Sequence, residues 1–477
     1  MTPHPELHII FYSFIGFIIG VGLFFSRSMD RDSDHYFRAG LSKGGGMIVF
    51  SLFLLTLLNA LIIVLPSLSI LSSNTPSAIA VSSALIIPFL FGKQMLKFFG
   101  NFLEHSSGAT TVFLNIVGLI FLCLVQIFVL VQITDYVIVQ FFGSTQYSIL
   151  VVLIVAAGIY TMAGGINAVL HSNIVVGSFL LISIVLIFLN TVFLNYPLFF
   201  SFKTTLQNGA EIFRLSGIME TNLVTAVVGI VLMISWIIWM QIGDAYRTVS
   251  EPTRNTFLRK VFGAGAVVFI VMSGILFSAT TNTEVVSGFV ASSIDPINYF
   301  IAVSFLGGLM GIFAITFQMV GSIVAVRVYP YFKKIVDEEE QILVGRLSTV
   351  FVVLLSIILI SFAKVSGDKT YVWYINFIAF FFSPIIAAVI SAFLVKKGAT
   401  VGFMFGILVG ESYAVVELIG QQFKIHSSLF QSASAYAFAI EIAVVTLFAG
   451  IVSAKASETV VVQRMISRMK ISRSTTL

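Results

Sequence analysis

The chain has 477 residues, of which 58% are hydrophobic and 10% charged, with a formal net charge of +5 and a mean hydropathy of +1.05. Soluble proteins carry about a quarter charged residues, so this composition excludes a soluble enzyme or nucleic-acid binder and specifies an all-α polytopic membrane protein. The 48 Phe fit a lipid-facing surface, and the single cysteine, Cys123, forbids an internal disulfide and reads as a small buried hydrophobe.

About 20 apolar residues cross a bilayer core as a helix. By that measure the sequence predicts about 13 transmembrane helices, at 8–25, 47–71, 77–96, 110–137, 147–164, 172–196, 222–243, 261–280, 296–328, 344–364, 371–395, 400–420 and 434–454. The first run lacks a basic n-region and a small-residue cleavage pattern, so it is expected to be a retained span. The 147–164 run is short, and 296–328 is long enough to tilt or to project from the membrane.

With the N-terminus outside and strict alternation, Lys203, Arg214, Lys364, Lys369 and Lys424 fall outside and the other 21 of the 26 basic residues fall inside. Positive charge resists translocation, so this bias predicts a cytoplasmic C-terminus in a cell (inner) membrane. The basic tail 455–477 reads as a topology anchor. The extramembrane stretches 26–46, 197–221 and 455–477 are too short to bury a core of their own. Walker loops, zinc-ligand clusters and nucleophile elbows are missing, which argues against an enzyme. The acidic run "DEEEQ" at 337–341 reads as a solvated face of a cytoplasmic loop.

Five stretches then carry a resemblance. They are "HYFRAGLSKGGGMIVFSLF" (35–53), "FFGNFLEHSSG" (98–108), "YTMAGGINAVLHSN" (160–173), "WIIWMQIGDAYRTVSEP" (236–252) and "FIAFFFSPIIAAVISAFLVKKGATVGFMFGILVG" (377–410). In that order they resemble the signatures of the sodium:solute symporter family, which contains the sodium/proline and sodium/glucose symporters. The resemblance covers about residues 8–455. It implies a 5+5 inverted-repeat transporter core in which the first helix of each repeat is broken. An extra span and loop (1–46) would precede a first repeat (47–196) and a second (197–395), followed by two peripheral spans and a basic tail (396–477).

Solute in such folds sits at the midplane, against the interrupted helices. Here those are 47–71 and 222–243, and their central polar residues are Thr56 and Asn59 in one and Ser235 and Gln241 in the other. Trp236 lies deeper than Trp239 and is favoured beside them. The partner is expected to be a small polar solute in a lipid bilayer, with no nucleic acid; oligomeric state is not readable.

The resemblance also implies a sodium site of backbone carbonyls and paired hydroxyls, since a hard cation needs several oxygen ligands. The carbonyl positions fall near Leu54 and Leu57. The hydroxyl pair falls at Gly311 and Ile312, or at Phe313 and Ala314 in the alternative register, and neither supplies a side-chain oxygen. Thr316 and Ser322 lie nearby in other turns. The family's Asp after "YTMAGG" is Asn173, and its acid in the first broken helix is Thr56. Coupling by the family's sodium site is therefore expected to be weak or absent. A proton is the other candidate coupling ion, with Asp135, Glu411, Glu417 and Glu441 as intramembrane acids, each expected to be a packed polar residue. The sequence favours a secondary transporter and leaves two alternatives, a sodium-independent facilitator or exchanger and a transport-inactive sensor on the same fold.

Overall fold

The computed structural model describes residues 5–26, 33–38, 126–142, 146–189, 296–333, 336–361, 383–392, 394–395, 399–422 and 435–457, with isolated positions at 228, 231, 259, 260, 263, 267 and 380. Among them the regular structure is entirely helical. The helices are α1 (Pro5–Ser26), α2 (Ser33–Arg38), α3 (Ile127–Phe142), α4 (Tyr147–Leu189), α5 (Pro296–Ile323), α6 (Tyr329–Phe332), α7 (Glu338–Ile360), α8 (Ser383–Ala392), α9 (Ala399–Gln422) and α10 (Ala435–Ser457). A π-helical turn, Val324–Val328, joins α5 to α6. The spans predicted at 47–71 and 77–96, most of those at 222–243 and 261–280, the first part of 110–137 and Cys123 lie outside the described residues.

Five described helices are long and apolar enough to cross a membrane: α1, α4, α5 with its continuation, α7 and α10. Burial on α7 shows the solvent it was built for. Its inward stripe is Ile342, Gly345, Thr349, Val352, Ser356 and Ile360, while Leu343, Leu347, Phe351, Leu354 and Ile358 face outward. Gly345, Thr349 and Ser356 on the inner face, with the largest apolar side chains outside, fit a helix packed in lipid, where small residues permit close backbone approach. The chain is an integral membrane protein.

α7 begins at Glu338, earlier than the predicted 344. Asp337 accepts a hydrogen bond from the Glu338 N–H at 2.9 Å, and three glutamates occupy the first turn, where the helix dipole favours negative charge. The "DEEEQ" run is thus a helix start and not a loop. Glu340 accepts from the Tyr329 hydroxyl at 2.6 Å and from Lys333 at 2.6 and 2.7 Å. The hydrogen bond to Glu340 raises the Lys333 pKa above its ordinary value.

α5 is the centre of its bundle. Every residue from Ile301 to Gly321 is buried, as expected of a helix apolar all round. It packs against α1, α3, α4 and α7. A second group forms where Gly402, Gly406 and Gly410 of α9 meet α10. A Cβ at Gly402 would stand 2.6 Å from the Gly450 carbonyl oxygen, and one at Gly406 3.3 Å from that of Thr446. Tyr413, Phe380, Ala414, Phe438 and Ile442 pack together beside this crossing, and the Tyr413 hydroxyl donates to buried Glu441. Glu417 is buried as well.

Candidate functional site at the crossing of α4 and α5

The stretch "YTMAGGINAVLHSN" lies within α4, and only Gly165 leaves helical backbone, at φ 54° and ψ −146°. The chain folds back there. Twelve residues of straight helix would separate Tyr160 from Ser172 by about 18 Å. Instead, Tyr160 Cβ and Ser172 Oγ lie 2.6 and 3.0 Å from the point where a Gly22 Cβ would stand. α4 is therefore two arms, 147–164 and 166–189, closed by a one-residue corner. His171, Ser172 and Asn173 belong to the second arm, which begins earlier than the predicted 172. The His171 ring stacks on Phe25 with centroids 3.8 Å apart, and its Nδ1–H donates to the Asn167 carbonyl at 2.8 Å, since a carbonyl only accepts.

The second arm runs against α5, and here two of the sequence-derived ion-site positions meet. Asn173 Oδ1 lies so close over Gly311 that a Cβ at 311 would stand 2.5 Å from it. Ile312 follows, fully buried. One turn on, Thr316 donates to the Ile312 carbonyl at 2.8 Å and accepts from the Gln126 amide at 3.3 Å. Gly311, Ile312, Thr316 and Asn173 thus share one neighbourhood. Thr56, Asn59, Leu54, Leu57, Ser235, Trp236 and Gln241 lie outside the described residues.

α5 and both arms of α4 carry no Asp, Glu, Lys or Arg, so the crossing is formally neutral. It presents amide, carbonyl and hydroxyl oxygens, a set that can hydrogen-bond a polar solute. Among the described residues no His, Cys, Asp and Glu cluster could hold a metal ion. Gln126 and Gln318 escape sequence reasoning. Each is one amide in a long apolar run, and nothing local pairs Gln126 with a threonine 190 positions away.

The end of the bundle at the corner is built around α2. The Tyr36 hydroxyl donates to the Met162 carbonyl at 3.0 Å and the Thr161 carbonyl at 3.3 Å, at the end of the first arm. The Tyr36 carbonyl accepts from the Gln318 amide of α5 at 3.0 Å. Arg346 of α7 stands 5.6 Å over the Tyr36 ring, and Phe37 packs with Ala325 and Ile342. Burial pushes the Tyr36 phenol up to about 12 against the opposing pull of Arg346. The π turn's Ala325 carbonyl is taken by the Gln341 amide at 3.2 Å.

No protein-family model matches the chain. The sodium/sialic acid symporter NanT of Aliivibrio fischeri (strain ATCC 700601 / ES114) is 26% identical over 189 residues. That match spans 38% of this chain and 37% of the relative. A solved structure described as the substrate-bound outward-open state of a Na+-coupled sialic acid symporter, with a novel Na+ site, superposes with a TM-score of 0.69. It covers 94% of this chain and 97% of the other at 16% sequence identity. The chain therefore has the fold of a membrane transporter.

Proposed function

We propose that this protein is a secondary transporter of a small polar solute, on the thirteen-span, 5+5 inverted-repeat scaffold, in which sodium coupling through the family's site is weak or absent. The transporter reading is carried by the full-length superposition on a symporter. The coupling reading is carried by Asn173 lying on Gly311. Where the resemblance leads one to expect a carboxylate facing a hydroxyl, this chain places a neutral amide against a bare Cα. That contact also favours the register with Gly311 and Ile312 over that with Phe313 and Ala314.

Thr56, Asn59, Ser235, Trp236 and Gln241 remain the proposed solute contacts. Sialic acid, named for both relatives, is the first solute to test. α2, the α4 corner and the start of α7 come together in space, which fits their placement on one side by the basic-residue bias and supports a cytoplasmic C-terminus.

A second reading has sodium held at a rearranged site, favoured by the sodium coupling in both relatives' descriptions and by the Thr316 hydroxyl beside the crossing. Uptake of labelled sialic acid and a sugar and amino-acid panel into proteoliposomes decides between them. Equilibration without accumulation under a sodium gradient fits the proposal. Sodium-driven accumulation overturns its coupling half, and proton-driven accumulation identifies the other ion. Absence of flux across the panel favours a sensor.

A further inference from the structure

We propose that residues 33–38 are a strap that closes one end of the bundle, joining the α4 corner, α5 and α7 into a single unit that opens and closes together. Contacts at two ends of Tyr36, its hydroxyl and its carbonyl oxygen, carry it. Its hydroxyl satisfies the Thr161 and Met162 carbonyls at the end of the first arm. Its carbonyl is held by Gln318 from the buried centre of α5. Its backbone occupies the space that a Cβ on Gly165 would take. Phe37 adds an apolar plug, because a Cβ at Gly345 would stand 2.6 Å from the Phe37 ring.

The arrangement is economical for motion. α2 is a single short helix, so its release does not require a longer element to unfold. When it leaves, the first arm loses its cap, the Gln318 amide loses its buried acceptor, and the ring under Arg346 withdraws. All of these contacts run through Tyr36 and are lost together, so each supports the others. The corner is a ready pivot, since a single glycine separates the two arms. Elements that move in function are drawn from such locally unfolding units.

The test is hydrogen–deuterium exchange on the full chain in lipid nanodiscs, and it needs no transported solute, so it stands apart from the transport reading. In the wild type, amides of 33–38 and 162–170 should exchange at one common rate, faster than α9 and α10. Tyr36→Phe removes the capping hydroxyl and should raise exchange in both segments about fivefold, the factor for one net hydrogen bond. Gln318→Leu touches only the Tyr36 carbonyl, yet it should raise exchange at 162–170 by a similar factor, because coupling is reciprocal.

Distinct wild-type rates for the two segments overturn the strap without any variant. So does a Gln318→Leu effect confined to 33–38, which is what a static contact gives. A rise that extends equally to α9 and α10 is global loosening and overturns it too.

Discussion

Gly165→Ala is the sharpest perturbation of this architecture. At φ 54° and ψ −146° a residue with a Cβ occupies a region open essentially to glycine alone, at a cost of about 1–3 kcal/mol. The added methyl would also run into the Tyr36 carbonyl oxygen and ring. Displacing Tyr36 then gives up its hydrogen bonds to Met162 and Gln318, each about 1 kcal/mol net. The combined loss is about 3–5 kcal/mol. The control is Gly20→Ala, on the outward face of α1 with nothing within 4 Å of its Cβ position. There alanine should stabilise by about 0.5–1 kcal/mol through helix propensity. Thermal unfolding in detergent, followed by circular dichroism, compares the two. At about 2 °C per kcal/mol, Gly165→Ala should melt about 6–10 °C lower than wild type and Gly20→Ala slightly higher. Melting temperatures equal for the two variants would refute both the corner geometry and the docking of α2 upon it.

Asn173→Asp places a carboxylate in a neutral, buried crossing and should destabilise by several kcal/mol in potassium buffer. Sodium should restore the variant's melting temperature more than potassium does, with no such difference in wild type; equal effects of the two ions would dismiss this crossing as a latent cation site. Thr316→Ala leaves the Gln126 amide without its acceptor and should cost about 1–3 kcal/mol of stability; if sodium dependence of uptake exists and survives this change unaltered, Thr316 is not a replacement ligand. Gly410→Leu forces bulk onto Thr446 and against Pro384, 2.7 Å from the Cβ position, and should lower the melting temperature, whereas Gly406→Ala, with its nearest atoms at 3.3–3.4 Å, should be tolerated. The alkaline limit follows from Tyr36. Its phenol is held at about 12 in the fold and at 10.0 when free. Its stabilising contribution is complete below pH 10 and is lost as pH rises towards 12, about 2–3 kcal/mol in all. Tyr36→Phe should remove that part of the alkaline drop, seen as a flatter melting temperature between pH 10 and 12.

The spans of α1, α5, α9 and α10 are legible in the sequence to within a few residues because lipid imposes a length and a composition on each helix separately. The start of α7 was missed for a local reason. A hydropathy ruler discards charged residues, but Asp337 and the three glutamates after it are an N-terminal cap and first turn. The gap between the spans predicted at 147–164 and 172–196 placed a connection at the glycine pair of "YTMAGGINAVLHSN", although the stretch alone did not show that only Gly165 would leave the helix or that the second arm would begin directly after it.

Composition and hydropathy by themselves determined that this chain lives in a membrane and roughly where its helices run. Those are properties of single segments against their solvent. Tertiary structure alone decided that Asn173 would lie on Gly311, that Gln126 would reach Thr316, and that Tyr36 would close the corner of α4. Each of these joins side chains or backbone separated by more than a hundred residues, in a bundle whose apolar helices look alike to a one-dimensional reading. What distinguishes them is packing at the scale of one missing Cβ, and that appears only when the helices are brought together.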